Sequence, residues 1–284
     1  MSSPASLKGG PFTPKVLVKK RYLIFYIFII IFSSFFVQLE FWVYWRFLYG
    51  IKPAHFIIFL PLLFFVMYVS LVLVSLLIAK ILLMMINAIH KPREGVFYRK
   101  KSDKDYRYWS IRNTIKRFPI WVSHKFPFPF MDNICLKIFG VKTKFSNSLF
   151  EGWIDTEFIE FGENVVVGQG SIVQSAVIIG EFLIIRKTII EDNVRIGTHS
   201  VVMPGTHIKR NAILAAHSNT IVDQVLEEGW IYIGVPARKF KKNRFFEDGL
   251  EPLIKHVDDI GELRNVYESV YEKRYDAEVS NKEE

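Results

Sequence analysis

Two histidines, His199 and His217, stand 18 residues apart, each three residues after an aliphatic side chain and directly before a serine. Imidazole exchanges a proton near neutral pH, so a pair at fixed spacing could supply a general base or half of a metal site. A polar residue that caps a repeated turn would show the same spacing, and both readings stay open. A second cluster, Asp155, Glu157 and Glu160, lies beside Trp153. A carboxylate there could orient a base or act as one, with Glu157 the best placed; an ordinary polar edge is the alternative. His124 is a third polar group, set among the aromatics and prolines of WVSHKFPFPF at 121–130. Finally, Gly234-Val235-Pro236-Ala237 is followed by Arg238, Lys239, Lys241 and Lys242. That basic run suits either a phosphate or an anionic lipid surface.

These groups need something to position them, and the second half of the chain has a period that can. From Phe161 the segments FGENVV, VGQGSI, VQSAVI, IEDNVR, IGTHSV, VMPGTH, IKRNAI and LAAHSN repeat every six residues, with a slip between Val173 and Ile190. The first place is always apolar: Phe161, Val167, Val173, Ile190, Ile196, Val202, Ile208 and Leu214. The fifth (Val165, Ser171, Val177, Val194, Ser200, Thr206, Ala212, Ser218) is small or β-branched. A hexapeptide period predicts a parallel β-helix, three hexads to a triangular coil, with the first residue inside and the fifth packed beside it. An amphipathic α-helix would need a period of 3.6 and is excluded. In this register His199 and His217 share the fourth place and stack about one strand spacing (~4.8 Å) apart, as do Asn193 and Asn211 on another face. GEFLIIRKTI, at the slip, is expected to leave the helix body as a loop or bulge.

The first half is different. Residues 22–37 carry no charge, an aromatic-rich stretch runs on to Leu48, and 56–89 contains only Lys80. A bilayer core takes about 20 apolar residues, so both runs qualify as spans. Trp42, Tyr44, Trp45 and Tyr49 fit an interfacial belt between them. Five bases and no acid precede the first span, and 90–117 holds ten bases against three acids. Both ends are therefore expected on the cytoplasmic side of the cell membrane, with two spans between. The expected organisation is a basic N-terminal arm (1–21), a two-helix transmembrane hairpin (22–89), a basic juxtamembrane connector (90–147) with an extended 121–130, a β-helix (148–240) and a charged C-terminal helix and tail (241–284). A net charge of +9 asks for an acidic partner, and because the bases cluster beside the spans the reading favours membrane lipid over nucleic acid. A half-hydrophobic chain is too apolar to be disordered, and the single Cys135 excludes an internal disulfide.

The repeats, closing on Gly234-Val235-Pro236-Ala237-Arg238, resemble the hexapeptide-repeat acyltransferases, and NVRIGTHSVVMPGTHIKRNAILAAHSNTIV is similar to the last coils of the maltose and galactoside O-acetyltransferase branch. The resemblance covers about 161–240. It implies a mainly β fold with a left-handed parallel β-helix, a homotrimer, and acetyl-CoA or another acyl-CoA as co-substrate in grooves between subunits. Gly234, Pro236 and Ala237 would then shape the turn beside pantetheine, with Arg238 and Lys239 near a CoA phosphate. The implied reaction is acyl transfer to a hydroxyl or amine of a glycan, lipid-linked sugar or other membrane-proximal acceptor, with His199, His217 or Glu157 as base. Apolar spans followed by such coils also resemble, more weakly, the membrane-embedded terminal domain of poly-lysine-type nonribosomal peptide synthetases. There a Gln-x-His element aligns onto Gln174-Ser175-Ala176, with Ala176 in the histidine place. That departure supports the competing expectation of an inactive trimeric scaffold. The γ-class carbonic anhydrases share such repeats, but their His-x4-His pair is not matched by His199, His207 and His217, so no metal is expected.

Overall fold

The computed structural model describes residues 20–49, 53–149 and 152–243, together with Asn265. The expected N-terminal arm up to Lys19 and the expected C-terminal helix lie outside the described residues. So does most of the segment from Asn243 onward, which forms a unit of its own.

Two long helices come first, α1 (Leu23–Leu48) and α2 (Pro53–Ile89). At 1.5 Å per residue they measure ~39 and ~55 Å, each longer than the ~30 Å of a bilayer's hydrocarbon core. Both are long and apolar enough to cross a membrane, and most of their apolar surface is exposed. The far end of α2 instead packs on protein: Val72, Leu76, Ala79 and Leu83 are buried. Lys80 Nζ, the one charge in that run, donates to the carbonyl of Ile138 at 2.7 Å.

The basic connector holds two helices. Helix α3 (Lys104–Ser123) opens on Asp103, whose carboxylate accepts from the Tyr106 N–H at 2.9 Å. Ile111, Ile115, Phe118 and Val122 recur at helical spacing and are all buried. Pro119 is accommodated within α3, and only 124–129 of the proline–phenylalanine stretch is irregular. Helix α4 (Phe130–Phe139) follows and stops at Gly140, whose φ of +106° lies where glycine carries no side-chain penalty. The tertiary stripe on α3 outweighed the local preference that prolines give their neighbours.

The second half is a parallel β-helix of short strands on three faces. One face stacks Trp153–Ile154, Ile172–Val173 and Val201–Val202. Another stacks Ile159–Phe161, Thr188–Ile190, His207–Ile208 and Val225–Leu226. The third stacks Val166–Val167, Arg195–Ile196, Ile213–Leu214 and Trp230–Ile233, where an antiparallel strand, Arg238–Lys242, closes the edge. Every first-place residue predicted from the period is buried, from Phe161 at 6% to Ile190, Val202, Ile208 and Leu214 at 0%. Among the described residues the fold is not mainly β, however, because the four α-helices hold more residues than the strands.

The slip between Val173 and Ile190 is an excursion of one hairpin, Ala176–Ile179 against Phe182–Ile185. It lengthens the register from 18 to 29 residues, since Val166 pairs with Arg195 while Arg195 pairs with Ile213. Val177 therefore belongs to the hairpin and is not a fifth-place coil residue. The outer strand pairs antiparallel with Gly95–Tyr98, and Leu183 and Ile185 enter the same core as α1 to α4. The hairpin thus ties the coils to the helical layer.

Candidate active site

Most corners of the coils turn on a left-handed residue. Asn164, Gly170, Asn193, His199, Gly205, Asn211, His217 and Asp223 all have φ between +54° and +79°. Glycine, asparagine, aspartate and histidine are the residues that tolerate this conformation. One corner is an amide ladder in which Asn164 Nδ2 donates to Asn193 Oδ1 at 3.4 Å and Asn193 Nδ2 to Asn211 Oδ1 at 3.2 Å. The next corner carries Gly170, His199 and His217. The two imidazoles are exposed and stack with centroids 5.4 Å apart and planes 22° from parallel. Among the described residues neither ring is hydrogen-bonded to a carboxylate. His207, on a different face, is paired instead, Nε2 lying 2.6 Å from Glu191 Oε1.

The turn Gly234–Ala237 sits directly on the histidine corner. The Gly234 N–H donates to Ser218 Oγ at 3.0 Å, the Asn219 N–H to the Gly234 carbonyl at 3.0 Å, and the Ala237 N–H to the Asn219 carbonyl at 2.8 Å. Gly234 has φ +94°, and the Val235–Pro236 bond is cis. Ala237 is buried, whereas Arg238 to Lys242 are exposed. Lys239 pairs with Glu227 and lies 4.8 Å from the Trp230 ring centroid. The expected turn is thus bonded to the two residues that follow His217 in sequence.

Glu157 is elsewhere, between α3 and the first coil. Arg112 Nε and Lys116 Nζ both donate to its Oε1, at 2.9 and 2.7 Å, and both cations have side chains only 2% exposed. The two cations hold the Glu157 carboxyl below the ordinary glutamate range despite burial, while burial pushes the Lys116 ammonium down. A carboxylate held ionised this way is a charge partner and a weak proton acceptor. Neighbouring Asp155 accepts from the Ser175 and Ala176 N–H groups at 2.9 and 3.2 Å, and burial raises it to about 6. Gln174, fully buried beside this group in sequence, has neither amide atom bonded among the described residues.

The raised Asp155 gives a testable pH dependence. The folded state holds the Asp155 proton up to about pH 6, the unfolded chain only to about 4. This group's stabilisation is therefore present below pH 4 and lost as pH rises through 6, up to about 3 kcal/mol in all. Asp155→Asn is expected to be more stable than wild type at pH 7.5, with the difference vanishing near pH 4. Urea unfolding at the two pH values followed by circular dichroism measures it.

One functional-looking pair was only half visible in the sequence. His124, at the end of α3, has Nδ1 3.1 Å from Oδ1 of Asp132 in the first turn of α4. Asp132 is 2% exposed, and the His124 ring faces Trp153 at 5.5 Å. Histidine in a polar–aromatic stretch was the signal; its partner, across a turn with two prolines, was not.

Residues 187–220 match the family described as bacterial transferase hexapeptide (six repeats). A curated relative is the 2,3,4,5-tetrahydropyridine-2,6-dicarboxylate N-acetyltransferase of Staphylococcus aureus (strain bovine RF122 / ET3-1), 31% identical over 93 residues. The alignment covers 33% of this chain and 37% of that one, so the chain spans little more than a third of the relative's length. Among solved structures, a Bacillus cereus N-acyltransferase in complex with dTDP-4-amino-4,6-dideoxyglucose and coenzyme A is 26% identical, covering 30% of this chain and 52% of that one at TM-score 0.28. A hexapeptide-repeat-containing acetyltransferase from Vibrio cholerae is 17% identical, covering 42% and 84% at TM-score 0.34. A maltose O-acetyltransferase from Clostridium difficile 630 is 18% identical, covering 39% and 74% at TM-score 0.31.

Proposed function

We propose that the protein is a membrane-anchored acyltransferase that moves an acyl group, acetyl in the simplest case, from acyl-CoA to a hydroxyl or amine of a membrane-proximal acceptor such as a lipid-linked sugar. The carrying observation is the seating of the Gly234–Ala237 turn on Ser218 and Asn219, the two residues after His217. In this reading pantetheine runs along the corner marked by Gly170, His199 and His217. Gly234, Pro236 and Ala237 shape its upper end, and Arg238 and Lys239 stand at the CoA phosphates. Glu157 sets the charge between coil and helical layer. The coils wind left-handed and three chains form the trimer, each groove shared by two subunits. α1 and α2 hold the trimer at the cytoplasmic face, with both termini on that side, and tethering raises the local concentration of a lipid-borne acceptor.

Calorimetric titration of the full chain in detergent with acetyl-CoA tests this reading. Binding is expected to weaken as salt rises, because exposed cations against phosphate are screened. Replacing both Arg238 and Lys239 by alanine is expected to weaken it ~10-fold, about 1.4 kcal/mol. No binding at millimolar acetyl-CoA rejects the reading. It would favour the trimeric scaffold, to which Ala176 also points: its N–H is held by Asp155, and it offers no side chain for proton transfer.

A further inference from the structure

We infer that His124, held by the buried carboxylate of Asp132, is the proton acceptor of the transfer reaction, a site outside the repeats altogether. This rests on the acyltransferase reading above and assigns the base that reading lacks.

The geometry is that of a base with its orienting group. His124 Nδ1 lies 3.1 Å from Asp132 Oδ1, so the Nδ1–H donates to the carboxylate and Nε2 is left with its lone pair outward. The His124 side chain is 21% exposed, open enough for a substrate, whereas that of Asp132 is 2% exposed. Asp132 Oδ2 has no hydrogen-bond partner among the described residues, and Ser123 Oγ reaches Oδ1 only at 3.4 Å. The His124 ring is thus the one side chain in ion-pair contact with the buried Asp132 carboxyl among the described residues, which fixes its orientation. Among the described residues the exposed His199 and His217 have no such carboxylate.

Position supports the same assignment. The His124 ring lies against the Trp153 ring, and the Trp153 backbone N–H donates to the Ser171 carbonyl, one residue past Gly170 on the histidine corner. From the row of Trp153 up through Ile172 and Val201 to Asn219, which holds the Gly234–Ala237 turn, are three coil spacings, ~14 Å. A pantetheine arm anchored at that turn and lying along the corner brings its thioester toward Trp153. On the other side, Phe126 of the same irregular segment stacks on Tyr68 of α2, with centroids 5.7 Å apart. His124 thus stands between the coil corner and an apolar helix, where a membrane-borne acceptor would arrive.

In the step assigned here, His124 Nε2 takes the proton from the acceptor's O–H or N–H as that atom bonds to the thioester carbonyl carbon. The carbon–sulfur bond breaks, and the imidazolium returns the proton to the departing thiolate. The products are free CoA thiol and the ester or amide.

The test uses the full chain in nanodiscs of phosphatidylethanolamine and phosphatidylglycerol, which present an amine and hydroxyls as acceptor probes. Released CoA thiol is followed with a thiol reagent and acetyl-CoA binding by calorimetry. His124→Ala is expected to lower kcat ~100- to 10,000-fold while acetyl-CoA affinity stays as in wild type. Added imidazole should restore part of the lost rate, which no purely structural role predicts. Asp132→Asn should lower kcat without moving KM for acetyl-CoA. Should His124→Ala misfold, His124→Gln, checked by circular dichroism, carries the same expectation. A folded variant with wild-type turnover, or a wild type that binds acetyl-CoA but releases no thiol, overturns this assignment and leaves the binding reading standing. A wild type that does not bind acetyl-CoA rejects the underlying reading.

Discussion

Replacing Glu157 by alanine is expected to destabilise the protein by about 3–5 kcal/mol, enough to abolish a marginally stable fold. The variant removes the carboxylate that bridges the guanidinium of Arg112 and the ammonium of Lys116, both in side chains 2% exposed. Lys116 can shed part of the cost by losing its proton, since burial already pushes its ammonium down, but Arg112 cannot. Glu157→Gln should fall between wild type and Glu157→Ala, because it keeps the acceptor oxygen and loses the charge. The triple change Arg112→Met, Lys116→Met and Glu157→Leu should be milder than Glu157→Ala alone, since it removes the buried charges together. Denaturant unfolding in detergent micelles, followed by circular dichroism, ranks the variants. A Glu157→Ala midpoint equal to wild type would mean the ion triad is not buried as described.

The same triad shows where sequence reading stops. Arg112 and Lys116 count as two of ten bases in 90–117, and their charges read as solvated or lipid-facing. Their partner is 45 and 41 residues away in a different layer, a relation no local pattern encodes. The apolar interior of the coils is the opposite case. Ile190, Ile196, Val202, Ile208 and Leu214 each see the same neighbours one coil above and below, so burial is written as a period. The hairpin at 176–185 was visible as a break in that period, but its partner strand Gly95–Tyr98 was not. The stacking of His199 on His217 follows from their register. That the same position must also take a left-handed backbone explains why histidine, asparagine, aspartate and glycine alternate there.

Gly197→Ala should separate the two histidines without touching either. A Cβ built on Gly197 meets the Ala216 nitrogen at 2.3 Å, the Ala215 carbonyl carbon at 2.6 Å and the Ala216 Cα at 2.7 Å. All three are backbone atoms of the next coil, so no rotamer change relieves the overlap and the coils must part. Overpacking of this kind costs about 1–3 kcal/mol and more where backbone is the obstacle. The displaced residues lead directly into His217 and then into Ser218 and Asn219, to which the Gly234–Ala237 turn is bonded. Acetyl-CoA affinity is therefore expected to fall ~10-fold or more, beyond what the stability loss alone would cause in a protein still folded at the assay temperature. Gly180→Ala is the control. Unlike Gly197, Gly180 has a positive φ (+58°), but a Cβ there meets nothing within 4 Å, so the change should cost only the ~1–2 kcal/mol of the left-handed backbone and leave binding unchanged. Calorimetry on the two variants side by side, each checked for folding, distinguishes a corner that must stay closed to hold its ligand from a scaffold in which coil spacing is merely structural. Equal affinity in both would remove the histidine corner from the binding site.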